Sequence, residues 1–489
     1  MKKICKLVGI ILACICLFSS TVSAASAYNN YTYSDSKVKQ KEPQAVYAKG
    51  TLTGDMLGVG DLNAPSDMYL RDGKIYIADT GNNRIVICNT DGSEATVINN
   101  FISDGKTDNF NSPTGIFVTE DGFIYICDKE NNRIVVLDNI GNLINIFGRP
   151  DTKLLSKDIV YKPKRCSVDS AGRIFVVAEN VNLGIIELNK YGEFVGFFGA
   201  IEVQYNAYEY FLKAIATDEQ KAGMSVTVPT EYSSLDIDSR GFVFATVNVF
   251  DSKNFREDIF IRKLNPLGND ILMRNGYTAP MGDAVYKTDT ETNQMLTSSF
   301  VDVKADEANI YSALDDRYGR IFTYNKQGYL MYVFGGIGDS LGEFHTPVAL
   351  EVSGNEYFVL DQYTNRIVLF ETTEYGALFK QAVVAFDNRN YDLADECWNN
   401  ALKYTGKSQV VYDQIGKSLL KNGDHDAAAN FFLISKNRED YSACYEEIRA
   451  LFIDRWFTTG LIIILVVIAA IFVIKTVKKI RSRKVGGKA

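Results

Sequence analysis

A carboxylate followed five positions later by an arginine recurs along this sequence: Asp79 and Arg84, Asp128 and Arg133, Asp251 and Arg256, Asp315 and Arg320, Asp361 and Arg366. The residues between them are rich in asparagine, with Asn82 and Asn83, Asn131 and Asn132, and Asn365. Two chemistries fit such a set. In the first, the aspartate accepts N–H bonds from a tight turn, asparagine tolerates the positive φ that the turn demands, and the arginine pairs with the carboxylate across the hairpin mouth. In the second, the same groups repeated around one rim form a binding surface for a shared ligand or a cation. Repetition in nearly every copy is the mark of a structural device and favours the first.

The elements that must position these residues are themselves repeated. Pro65, Asp79, Arg84 and Gly92 return as Pro113, Asp128, Arg133 and Gly141, and again as Pro163, Glu179, Gly184 and Gly192, at spacings of 48 to 51 residues. Asp251, Arg256 and Gly268, then Asp315, Arg320 and Gly328, then Pro347, Asp361, Arg366 and Gly376 continue the series; the third copy alone has lost the Asp and Arg. Each unit reads as four short strands, and a fixed period near fifty residues is how propeller blades appear in sequence. Six copies predict six blades. The stretch "AVYAKGTL", Ala45 to Leu52, precedes the first proline and is placed to add an outer strand to the last blade, which closes the ring.

These residues resemble the NHL-repeat family of six-bladed propellers, whose blades carry the wording "G-x-F-x-x-P … D-x-x-x-N-R-[IV]", over residues 45–380. Two insertions interrupt the pattern, Ala200 to Tyr232, with a helix expected from Tyr208 to Ala222, and Asn275 to Phe300. Both follow an outer strand, so both should emerge on the rim that carries the Asp/Asn turns.

After Gly376 the period becomes helical. Ala382, Ala394, Trp398 and Ala401 recur thirty-four residues later as Gly416, Ala428, Phe432 and Ser435, a pattern that resembles the tetratricopeptide repeat over residues 381–454. The expected fold is therefore mainly β, a six-bladed propeller with a C-terminal helical stalk and one transmembrane helix. At the N-terminus, residues 1–27 read as a secretory signal with basic Lys2, Lys3 and Lys6 before an apolar run; a lipoprotein anchor at Cys14 is the alternative. Residues 28–44 read as a linker. "FTTGLIIILVVIAAIFVI", Phe457 to Ile474, carries no charge and reads as the core of a membrane span at 456–477, followed by a basic tail at 478–489. The positive-inside tendency puts the tail in the cytoplasm and the remainder outside in a single-pass cell-membrane protein.

Without signal and tail the net charge of −8 becomes about −18, which disfavours a nucleic-acid partner. Cys88, Cys127, Cys166, Cys397 and Cys444 are too few, and odd in number, for a disulfide scaffold. Catalysis finds little to stand on. Lyases of the resembled family hold zinc through histidines, but His345 and His425 are the only two here, and no Gly-x-Ser-x-Gly or Cys-x-x-Cys occurs. A lactonase-like propeller would instead hold calcium with acidic and Asn ligands, for which Asp79, Asp128, Asp315 and Asp361 are the candidates. The leading expectation is a membrane-anchored extracellular binding or scaffold protein. Its candidate rim residues are Asp79, Asn82, Asn83, Arg84, Asp128, Asn131, Asn132, Arg133, Asp315, Arg320, Asp361, Asn365 and Arg366. Its partner would be a membrane or cell-surface protein, with a carbohydrate or peptide as ligand. Chains joining such a propeller to one anchor are similar to accessory factors of Gram-positive bacteria beside carbohydrate transport systems.

Overall fold

Runs of five or six apolar residues between Gly, Asn and Asp turns dictate short strands that can bury both faces, and such sheets need neighbours on either side. A computed structural model describes residues 30–155, 158–200, 231–248, 260–288 and 295–485. In it the six expected units are six antiparallel sheets. Blade 1 is Asp67–Arg71, Lys74–Asp79, Arg84–Asn89 and Thr96–Ile98; blade 2 is Pro113–Val118, Ile124–Asp128, Arg133–Leu137 and Leu143–Phe147. Blade 3 is Pro163–Val168, Ile174–Ala178, Ile185–Leu188 and Phe194–Phe198. Blade 4 shows Glu231–Ile237, Val243–Asn248 and Ile261–Leu264 among the described residues. Blade 5 is Phe300–Ala305, Tyr311–Asp315, Arg320–Tyr324 and Leu330–Gly335.

Blade 6 combines Pro347–Ser353, Glu356–Asp361 and Arg366–Thr372 with Val46–Thr53 from the other end of the propeller, in antiparallel register from Arg366 opposite Thr53 to Thr372 opposite Val46. The closing strand is thus where its sequence put it. First strands of consecutive blades touch in a closed cycle, blade 6 returning to blade 1. They approach closely: a Cβ on Gly115 of blade 2 would lie 2.5 Å from the Lys164 carbonyl of blade 3.

The segment read as a linker is packed chain from Asn30 onward. Tyr31–Tyr33 and Lys39–Lys41 form a hairpin. Asn30 Oδ1 accepts from Val333 N at 2.8 Å, and Glu42 accepts from the Tyr375 hydroxyl at 3.0 Å. The first strand carries the docking, because Tyr31 enters the core of blades 4 and 5 while Lys39 and Lys41 of the second strand stay exposed. Of the two insertions, the second carries a hairpin, Ala284–Thr288 with Met295–Thr297. The first, with its expected helix, lies almost wholly outside the described residues, as do Asp251 and Arg256.

Five helices follow: α1 Glu374–Asp387, α2 Tyr391–Thr405, α3 Gln409–Lys421, α4 His425–Ser435 and α5 Arg438–Val485. The chain divides after Val384 into two compact units, so α2 to α5 belong to the second. Asn390, Ser408 and Asp424 cap α2, α3 and α4 by accepting from backbone N–H groups three residues on. Gly416 of α3 is small because the Phe432 ring of α4 stands 2.8 Å from where its Cβ would be. Helix α5 contains a stretch of mean hydropathy 3.0, none of it buried, and is long and apolar enough to cross a membrane. All five described cysteines are free and buried.

Candidate functional site

The rim turns are built alike in blades 1 and 2. Thr80–Asn82 forms one 3-10 turn closed by Asn83 at φ 53°, and Lys129–Asn131 forms another closed by Asn132 at φ 55°. Asp79 Oδ1 accepts from Asn63 N at 2.8 Å; its Oδ2 accepts from Asn82 Nδ2 at 2.9 Å and Arg84 Nε at 2.6 Å. Asp128 does the same with Asn111 N, Asn131 Nδ2 and Arg133 Nε at 2.7, 2.8 and 2.8 Å. Both carboxylates are fully buried, and their bonds are spent on their own turns. Arg133 also makes a bidentate pair with Asp108, which holds the Asp108 carboxyl below its ordinary range.

In blade 6 Asp361 accepts from Thr346 N, His345 N and the Thr364 hydroxyl. Arg366 reaches the Glu343 carbonyl at 3.2 Å instead of pairing with Asp361. Asn83 Oδ1 accepts from Ser112 N of the next blade at 2.7 Å, and Asn365 Oδ1 accepts from Ala64 N at 2.8 Å across the point of ring closure. These asparagines are staples between blades. Asn132 Oδ1, by contrast, is buried without a partner, where blade 3 has departed from the repeat.

Blade 5 differs again. Asp315 accepts from Ser299 N and Arg317 N, both at 3.0 Å, and burial pushes its carboxyl up to about 6. Arg320 turns away to the second insertion, where it bonds Asp283 and, at 3.0 Å, the Tyr31 hydroxyl. Asp283 also accepts from the Tyr31 and Tyr33 hydroxyls at 2.6 and 2.7 Å and pairs with Lys39 at 2.8 Å. Burial alone would raise the Asp283 carboxyl, but Lys39 and the two tyrosines more than offset it and hold it below its ordinary range.

None of these rim aspartates reaches the axis of the ring, which is closed by other side chains. Arg165 pairs with Asp67 and donates to the Val348 carbonyl at 2.8 Å, while Asp302 accepts from the Ser234 hydroxyl at 2.6 Å and Leu350 N at 2.7 Å. Lys304 lies 3.1 Å from both Asp236 and Glu351. Burial raises the Glu351 carboxyl to about 8 even with Lys304 beside it, because Asp236 and Asp302 oppose a further negative charge. The remaining void holds about 20 Å³, room for one water. Among the described residues no three His, Cys, Asp or Glu side chains are grouped to hold a metal ion.

There are two open hollows among the described residues, of which the first adjoins this plug. One, of about 550 Å³, opens between the first-to-second-strand turns of blades 1 to 5, on the rim opposite the Asp/Asn turns. Tyr125 is half-buried and Phe123 exposed on its wall, next to Glu120 and Asp121, which have no cation partner among the described residues. Asp169 and Asp238 in the same wall are held by their own turns and by Arg173 and Arg240. Sequence reading passed over this bowl, since "TEDG", "DSAG" and "DSRG" read as ordinary turns; their recurrence after the first strands of blades 2, 3 and 4 was the available signal. The second hollow, of about 580 Å³, lies on the Asp/Asn rim beside Arg320 and the N-terminal hairpin.

The family model for the NHL repeat matches residues 110–137, which hold the Asp128 to Arg133 turn of blade 2. No curated protein matches the sequence. Among solved structures, virginiamycin B lyase from Staphylococcus aureus is similar at 11% identity, over 67% of this chain and 99% of the lyase, with a TM-score of 0.39. A structural-genomics protein of unknown function from Bacteroides thetaiotaomicron is similar at 12% identity, over 71% of this chain and 76% of its own, with a TM-score of 0.43. Such distant likenesses say nothing of activity. The class rests on this chain's own strand pairing and repeat: it is a six-bladed β-propeller with an NHL repeat, followed by five helices.

Proposed function

We propose that this chain is an extracellular binding protein, anchored by α5 and carrying its propeller outside the membrane to engage a membrane or cell-surface partner, with a peptide or carbohydrate as the bound element. The observation that carries the reading is the bowl over a plugged axis. Its exposed Phe123 and its unpaired Glu120 and Asp121 face an open hollow, whereas the charged groups beneath are already neutralised by one another. Aromatic faces beside polar groups suit a sugar ring or an aromatic or basic side chain. The helices α1 to α4, in the tetratricopeptide-like reading, act as the stalk.

The test is a photo-crosslinking amino acid at Phe123 in living cells, with one at Asn82 on the other rim as comparison. A discrete adduct from position 123 that disappears with Tyr125→Ala supports the reading. Adducts from neither position would sink it.

A further inference from the structure

The hollow on the Asp/Asn rim is built from parts distant in sequence: the N-terminal hairpin, the blade 5 turn and the connector into blade 6. Four cations line it, Lys39, Lys41, Arg317 and Arg320, against one carboxylate, Glu343. Asp283, which is not part of the lining, is shared between Lys39 and Arg320, so two of the cations rest on one anion. Glu343 is tied to its own loop by accepting from Ser340 N at 2.9 Å. Lys41 and Arg317 are exposed, and neither has a carboxylate within ion-pair distance among the described residues; Arg317 spends one donor on the Thr297 carbonyl at 2.7 Å. A hollow with surplus positive charge in a strongly acidic chain focuses anions from solution.

The walls are not purely charged. The rings of Tyr31 and Tyr318 and the exposed side chain of Ile337 line the same space, and about 580 Å³ is far more than a bare ion fills. A planar guanidinium with free donors beside an ammonium suits a phosphate or carboxylate, and an aromatic edge beside it suits the face of a sugar ring.

We propose that this hollow binds an anionic saccharide, its phosphate or carboxylate on Lys41 and Arg317 and its ring against Tyr318 and Ile337. The site is separate from the bowl, on the opposite rim, and stands whether or not the bowl binds a partner. The N-terminal hairpin supplies one wall, so the site exists only when residues 30–44 are docked.

Isothermal titration calorimetry on the full chain in nanodiscs of neutral lipid tests it, with glucose 6-phosphate, galacturonate, glucose, inorganic phosphate and a short poly-glutamate peptide as probes. One or both acidic sugars should bind at least about tenfold tighter than glucose and than inorganic phosphate, with affinity falling as salt rises. Which acidic sugar binds tells phosphate from carboxylate. The double variant K41Q/R317Q should lose about tenfold or more in affinity while its melting temperature falls only by the small amount expected from losing the bond to the Thr297 carbonyl, and the bowl variant Phe123→Ala should bind as the parent does. Binding of neither acidic sugar, inorganic phosphate matching the sugar phosphate, preference for the peptide, or unchanged affinity in K41Q/R317Q would each overturn the proposal.

Discussion

The blade 1 and blade 5 turns share their Asp-to-Arg spacing and end in opposite arrangements. In blade 1 Arg84 closes on Asp79 at 2.6 Å and stitches the turn to the carbonyls of Val59, Gly60 and Asp61. In blade 5 Arg320 abandons Asp315 for Asp283, and Asp315 is left with backbone donors and the Ser298 side chain, but no bonded cation, to offset its burial. The difference teaches that, in the blades that keep both residues, the aspartate's backbone bonds are the constant part of the device, because they satisfy turn N–H groups that would otherwise be buried unpaired; blade 3 forms its four strands without either residue. The arginine can be surrendered when another element offers an anion. Where that happens a hollow has opened, so the departure from the repeat, not the repeat, marks the candidate site.

The sharpest way to break this comparison is to remove the arginines. Arg84→Ala leaves the fully buried Asp79 carboxylate side chain without its ion-pair partner, and we expect a loss of about 3–5 kcal/mol in denaturant unfolding. Arg366→Ala in blade 6 removes one bond to a carbonyl and no ion pair, so about 1 kcal/mol is expected. Equal losses would mean that the guanidinium acts by packing rather than by pairing. Arg320→Ala should fall between them, near 2 kcal/mol, because Asp283 retains Lys39, Tyr31 and Tyr33.

Acid titration sharpens the same contrast. The Asp315 carboxyl is raised from its ordinary value to about 6 by burial, so the folded state holds this proton more tightly than the unfolded chain does. Its favourable contribution is complete below about 4 and is lost as pH rises through 6. Asp315→Asn keeps an acceptor for Ser299 N and Arg317 N and cannot ionise. The parent should therefore lose stability relative to this variant between pH 4 and 6.5, by at most about 3 kcal/mol. Parallel stability curves for the two proteins would contradict the assignment.

Most of the ring was legible because propeller blades repeat locally: turn residues, alternation and period together gave six units and the closing strand at Val46–Thr53. The site was harder to read. Asp283 meets Tyr31 and Tyr33 across 252 and 250 residues, and no periodicity announces a partnership of that range. Residues 30–44 read as a tether because their strands are three residues long and mostly polar, and only their docking on blade 5 makes them structure. The diversion of Arg320 did leave a trace: its turn reads DDRYGR from Asp315 to Arg320 and lacks the asparagines of the turns that pair.

The smallest effect tests the staples between blades. Asn83 and Asn132 occupy the same left-handed position, at φ 53° and 55°, so replacing either by glycine leaves the backbone unstrained and removes only the side chain. Asn83→Gly breaks the bond that Ser112 N donates to blade 1 and leaves that N–H to find water, which should cost about 1 kcal/mol. Asn132→Gly removes an oxygen that is buried with no partner, so the desolvation it imposes disappears as well, and the change should be close to zero or slightly stabilising. Measured as paired melting temperatures, a drop confined to Asn83→Gly would show that the asparagine holds adjacent blades together and that the bond is missing between blades 2 and 3. An equal drop in both would place its value in the turn itself, and the regular and irregular blades would then differ less than their hydrogen bonds imply.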